Sequence, residues 1–241
     1  MNTKPAIIIL HGWGLSSSRF APLADVLRGN GFEVYVPDLP GFGQSKLPVT
    51  ALYLKDYADF LKSYMAENKI QMPVIIGHSF GGRVALKFNY IYPGSLSGII
   101  FTGTPGFTPV PKKKLSLFIA VAKIGKVIVS VWPLSKLEEK IRQWYYYLVG
   151  ARDYYRAQGV MRDIFKHIVQ EDISGTITSV RVPCALIWGE EDSITPVWIA
   201  EKMHTLIDGS VLEIIHDADH GVSYKKPQVF VPYVNQFYKT L

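Results

Sequence analysis

The sequence predicts an α/β domain: a mostly parallel sheet of about six strands flanked by helices, with a helical cap inserted after the fourth strand. Three observations predict it. Short apolar, β-branched runs recur along the chain; helix-length stretches separate most of them; and one long interval between the fourth and fifth runs holds no convincing strand. With 241 residues the chain can build one sizeable core. The boundaries fall at an α/β core over residues 1–104 and 178–241 and a cap over 105–177.

The runs, in order, are AIIIL at 6–10, FEVYV at 32–36, PVIIG at 73–77, SGIIFTG at 97–103, PCALIWG at 183–189 and VLEII at 211–215. Each is short and mostly unalternated, as expected of strands buried on both faces of a parallel sheet. Helices are expected at 18–30, about 50–68, 80–92, 196–207 and 226–240. This alternation implies right-handed crossovers and a doubly wound sheet. From Thr104 to about Ser179 the content is helical and aromatic instead, including WYYYLVG at 144–150.

Composition narrows the class. With 48% hydrophobic and 19% charged residues the chain is globular, not disordered. The single cysteine, Cys184, rules out an internal disulfide framework, lies in an apolar run and makes a reducing cytoplasm the expected location. The opening MNTKPAIIILHGWG has too short an apolar stretch for a signal-peptide core or a membrane span. Residues 105–177 carry 8 Lys and 4 Arg against 6 Asp and Glu, so the whole net charge of +6 resides there. An anionic partner or surface would suit that segment.

In an open parallel sheet the ligand site lies beyond the carboxyl ends of the strands, so the residues following each strand carry the chemistry. They are HGWG, PDLPGFG, HSFGG, TPGF, EEDSITP and HDADHG. Gly77-x-Ser79-x-Gly81 sits between a strand-like and a helix-like run, where a serine would occupy a sharp corner beside a helix N-terminus. The plain alternative is a helix-capping serine. A serine nucleophile needs a base. Among the six histidines, His11, His78, His216 and His220 follow strands; His11 and His78 suit turn shaping, which leaves His216 and His220, of which His220 is favoured because its loop precedes the last helix. The base needs a carboxylate behind it. Asp192 in EEDSITP fits, with Glu190 and Glu191 as solvated competitors and no acidic residue between 101 and 110. An oxyanion would be met by the backbone N–H groups of Phe80 and Trp13, with Gly12 and Gly14 allowing close approach. HGWG lacks the phosphate-loop patterns, and no metal-ligand spacing appears, so neither metal nor cofactor is expected.

HGWG, DLPGFGQS, GHSFGG, GEEDSITP and DADHG in this order resemble the α/β-hydrolase superfamily, across nearly the whole chain outside 105–177. The resemblance implies nucleophile Ser79, acid Asp192, base His220 and oxyanion donors Trp13 and Phe80, supported by His11, Gly12, Gly14, Gly77, His78 and Gly81. Many members begin with an antiparallel hairpin; here only Met1 to Pro5 precede the HG strand, which looks like a pared-down sheet. HGWGL and DLPGFGQS are also similar to the pimeloyl-carrier-protein methyl ester esterases. A serine at the nucleophile position argues against dehalogenases and epoxide hydrolases, which place an aspartate there.

The expected function is a serine carboxylesterase acting on small to medium acyl esters, lactones among them. Two alternatives stand beside it: a carbon–carbon bond hydrolase of diketo acids, with Arg142, Arg152 or Arg156 holding a carboxylate, and a ligand sensor that retains the triad. The segment 112–133 reads as a packed cap helix, as a lid whose apolar face lines an acyl pocket, or as a membrane-surface helix. The expected partner is a small-molecule ester, not nucleic acid, with no stable membrane insertion; an acidic carrier protein would suit the basic cap.

Overall fold

The structure is a computed structural model that describes residues 5–107 and 157–241. Six strands appear among them: β1 (Ile7–Leu10), β2 (Val34–Tyr35), β3 (Val74–His78), β4 (Gly98–Thr102), β5 (Cys184–Gly189) and β6 (Val211–Ile215). They form one sheet in the order β2-β1-β3-β4-β5-β6, with every pairing parallel, and the six predicted runs supply all of its strands. The described helices are α1 (Ala21–Gly29), α2 (Leu54–Glu67), α3 (Phe80–Ile91), α4 (Gly159–Gln170), α5 (Ser174–Ile177), α6 (Val197–Leu206), α7 (Val222–Lys225) and α8 (Pro227–Tyr238).

The strand alternation of side chains divides the core between two layers. Ile7 and Ile9 of β1 face a cluster with Leu23 and Leu27 of α1 and Phe230 and Val234 of α8. Their neighbours Ile8 and Leu10 face Leu61 of α2, Val84 of α3 and Met203 of α6 on the other side. Helices on both faces are what a right-handed parallel sheet requires.

The edges depart from the expectation of strands buried on both faces. FEVYV pairs only at Val34 and Tyr35 before the chain reaches Pro37, which has no N–H to donate to a ladder. Among the described residues β6 has β5 alone beside it, and Val211 at its start is 39% exposed.

Strand order places the site. From β1 the chain moves outward to β2, then returns past β1 to β3, so the loops leaving β1 and β3 diverge. The crevice at their carboxyl ends is the topological switch point of the sheet.

One buried cation joins α3 to the segment after β4 and to the end of α4. Arg83 of α3 is 7% exposed and donates from Nη1 to Pro105 O (3.0 Å) and from Nη2 to Ile168 O (2.8 Å) and Glu171 O (2.6 Å). The last two carbonyls sit at the end of α4, where helical acceptors lack internal partners. Burial pushes the guanidinium down to about 10, which leaves it charged at neutral pH. Lys87, one turn along α3, pairs with Glu171 at 2.9 Å. The fastened points are Pro105, just after β4, and the end of α4.

Most of the predicted cap, including 112–133, WYYYLVG and Arg142, Arg152 and Arg156, lies outside the described residues. Of the basic residues in 105–177, Arg162 and Lys166 fall among those described.

Replacing Arg83 by Met strands three carbonyl acceptors, one of them buried and two partly buried, and the expected loss is about 3 kcal/mol of unfolding free energy in urea titrations. Arg83→Lys should recover only part of it, because one ammonium cannot match a planar fork. Unchanged stability in Arg83→Met would contradict the fastening role.

Candidate active site

Ser79 stands between β3 and α3 with φ 52° and ψ −115°, a region that costs an L-residue about 1–3 kcal/mol and persists only where packing enforces it. The packing is severe. A Cβ at Gly77 would stand 2.6 Å from Gly82 Cα, and one at Gly81 would stand 2.2 Å from Leu10 O. The glycines flanking the serine are therefore needed for close approach of β1, β3 and α3. Ser79 N–H donates to Thr102 O at 2.9 Å, tying the corner to the end of β4.

The loops after β5 and β6 are stitched together by Glu190 N–H to Ile215 O and Glu191 N–H to Ala218 O, both 2.9 Å. This brings Asp192 and His220 into direct contact, with His220 Nδ1 2.8 Å from Asp192 Oδ2. The Asp192 side chain is 1% exposed and that of His220 14%. Asp192 Oδ1 accepts from the N–H groups of Ile194 (2.9 Å) and Thr195 (2.7 Å), and Oδ2 also accepts from Thr195 Oγ1 (2.7 Å). His216, the competing histidine, is 82% exposed and pairs with Glu190 at 3.0 Å, which raises its pKa. That pairing occupies Glu190 at the surface, and Glu191 is exposed as well.

Gly103 brings the two halves together. It follows Thr102, the partner of Ser79, and a Cβ on it would meet His220 Cε1 at 2.7 Å and Asp192 Oδ2 at 3.4 Å. On the other side His78, adjacent to Ser79, packs its ring 4.8 Å from that of His220. Burial, then the neighbouring rings of His220 and His11, push His78 well below the usual histidine range. Among the described residues no hydrogen bond links Ser79 Oγ to His220; such bonds often tighten only with substrate present.

HGWG after β1 forms a turn closed by Leu15 N–H on Gly12 O (3.2 Å), with Gly14 at φ 70°. A Cβ on Gly12 would lie 3.3 Å from Ser79 Cβ, so this loop lies against the serine. His11 shapes it. Leu39 N–H donates to His11 Nε2 (3.0 Å), which leaves the proton on Nδ1 to donate to Gly12 O (2.8 Å). Asp38 supports the neighbouring loop: it is partly buried, which works the other way, yet hydrogen bonds from Gln44 and Ser17 N–H lower its pKa. Among the described residues neither Trp13 N–H nor Phe80 N–H has a protein acceptor. Their side chains pack among rings, Trp13 against Phe42 (4.9 Å), Phe80 (5.6 Å) and Phe165 of α4 (5.0 Å).

Sequence reasoning passed over Thr195, Arg83, Asp38 and Gly103. Thr195 had a readable signal, since Asx and Ser/Thr side chains two or three residues apart often bond to each other's loop. The other three are visible only once strands are paired.

The corner predicts a contrast between two glycines. Gly81→Ala should lose about 3 kcal/mol of stability by overpacking against Leu10, whereas Gly29→Ala, with open space around it, should gain about 0.5 kcal/mol. Urea unfolding of both variants measures this; a stable Gly81→Ala protein would refute the packing.

A family model described as "Serine aminopeptidase, S33" matches residues 1–223. The AB hydrolase superfamily protein YisY of Bacillus subtilis (strain 168) is 26% identical over 253 residues, covering 96% of this chain and 90% of the relative. The pimeloyl-[acyl-carrier protein] methyl ester esterase of Shewanella woodyi is 29% identical over 206 residues, covering 79% and 77%. Among solved structures, the esterase EaEST of Exiguobacterium antarcticum superposes with a TM-score of 0.75 at 21% identity, covering 99% of this chain and 93% of that one. With the parallel sheet and the corner serine already in place, these likenesses show that the chain belongs to the S33 serine aminopeptidase family of the α/β-hydrolase superfamily.

Proposed function

We propose that the protein is a serine hydrolase that cleaves carboxylic esters of small to medium acyl chains, lactones included, through an acyl-enzyme. The observation that carries this reading is the His220–Asp192 pair at 2.8 Å, its carboxylate buried and its ring mostly shielded, set across Gly103 from a serine in a strained strand-to-helix corner. A solvated histidine–carboxylate pair would not argue for chemistry. One with a buried carboxylate and a mostly shielded, oriented ring beside a crowded serine does.

In this reading Ser79 Oγ attacks the ester carbonyl carbon and its proton passes to His220 Nε2. Asp192 Oδ2 accepts from Nδ1–H, fixes the tautomer and stabilises the imidazolium. The carbonyl oxygen, now negative, is met by the N–H groups of Trp13 and Phe80. Collapse expels the alcohol, which takes the proton back from His220. His220 then removes a proton from water, which attacks the acyl carbon, and as the intermediate collapses and the acid leaves, His220 returns that proton to Ser79 Oγ.

The rings around Trp13 and Phe80 favour an apolar acyl group, and the name of the Shewanella woodyi relative, a methyl ester esterase, is consistent with ester cleavage. The family description names an aminopeptidase, so aminoacyl p-nitroanilides belong in the same assay.

The test is hydrolysis of p-nitrophenyl esters from acetate to palmitate by wild type and Ser79→Ala. Wild type should turn over the shorter members, and Ser79→Ala should lose at least about a thousandfold in kcat. Turnover of the anilides alone would contradict ester specificity, and undiminished ester turnover by Ser79→Ala would contradict the nucleophile.

A further inference from the structure

Thr195 is buried, 3% exposed, and lies against both members of the candidate acid–base pair. Its Oγ1 is 2.7 Å from Asp192 Oδ2 and 3.2 Å from His220 Nδ1. These three atoms form a closed triangle with the 2.8 Å His220–Asp192 contact. We propose that the Thr195 hydroxyl is a positioning residue for the reaction proposed above, holding Asp192 Oδ2 and the Nδ1-protonated form of His220 in register; the inference rests on that reading.

The protons decide how the triangle is wired. Ionised Asp192 can only accept, so both the Thr195 hydroxyl hydrogen and His220 Nδ1–H point at Oδ2. A hydroxyl that spends its single hydrogen on Oδ2 turns lone pairs toward Nδ1, so the ring's N–H sees two acceptors, the carboxylate and Oγ1. The opposite tautomer would set the Nδ1 lone pair against Oδ2. The triangle therefore selects the tautomer whose Nε2 is unprotonated, the form able to take the Ser79 proton. As the ring becomes an imidazolium, the same oxygen gives Nδ1–H a second acceptor.

Thr195 is itself held from behind. Its N–H donates to Asp192 Oδ1 at 2.7 Å, and its carbonyl accepts from Nε1 of Trp188, a fully buried indole on β5, at 2.7 Å. Both Asp192 oxygens thus accept two hydrogen bonds each, three of the four from a loop that is attached to the sheet core through Trp188. A carboxylate with that many fixed donors has little freedom to rotate away from the imidazole.

Thr195→Val keeps the shape and removes the hydroxyl; Thr195→Ser keeps the hydroxyl and removes the methyl. The experiment measures kcat and KM on the best p-nitrophenyl ester for both variants, with Asp192→Asn and Ser79→Ala alongside and thermal midpoints recorded for all. Thr195→Val should lose at least about tenfold in kcat with KM within about twofold of wild type, and Thr195→Ser should recover most of that loss. A methyl needed for packing would give the reverse order, with Ser as poor as Val, and would overturn the proposal. So would a Thr195→Val protein with wild-type kcat. If Thr195→Val behaves as wild type while Asp192→Asn and Ser79→Ala are inactive, this proposal fails and the underlying reading survives; if Asp192→Asn keeps wild-type activity, both fail.

Discussion

The structure depends on one steric constraint: the backbone crossing at Ser79, where β3 turns into α3 against the carboxyl end of β1. The chain there adopts a positive φ at a non-glycine residue, which is unfavourable locally. It is held by contacts so close that no side chain fits at Gly77 or Gly81. Everything else in the site is placed relative to this corner. The HGWG loop reaches it through Gly12, the end of β4 through the Thr102 carbonyl, and the His220–Asp192 pair through Gly103.

This arrangement separates the hard tasks among different parts of the chain. Strain resides in a glycine-lined corner backed by the best-packed strands of the sheet. The ionisable pair lies on two loops that bind each other's backbones before they meet the serine. Around them the uncharged rings of His11 and His78, each lowered first by burial, fill space without adding a competing cation. Arg83 then connects the helix that begins at the corner to Pro105, just after β4, and to the end of α4, so these segments and the serine are placed by one helix.

Much of this was legible in the sequence because the signals were local. A run of β-branched residues ending in Gly-x-Ser-x-Gly-Gly announces a buried strand, a tight corner and a helix within a few residues of one another. The six strands and the helices over the core were readable for the same reason. What escaped was nonlocal or relational. FEVYV has the composition of a full strand, yet its ladder stops at two residues because it is an edge strand running into Pro37. Arg83 carries no local sign of burial; Pro105, Ile168 and Glu171 arrive from elsewhere to bury it. The preference for His220 over His216 was readable from loop position, but the contacts that distinguish them, His216 outward to Glu190 and His220 inward to Asp192, were not.

The central claim is that Ser79 is a nucleophile activated by its surroundings, and covalent capture tests it most directly. The native protein would be treated with a fluorophosphonate, which phosphonylates only activated serines, and its mass and peptides read by mass spectrometry. The account predicts one adduct per chain, located on Ser79, and its disappearance in His220→Ala, where the hydroxyl is unchanged but its base is gone. A native protein that stays unlabelled, or an adduct on another residue with Ser79 unmodified, would contradict it.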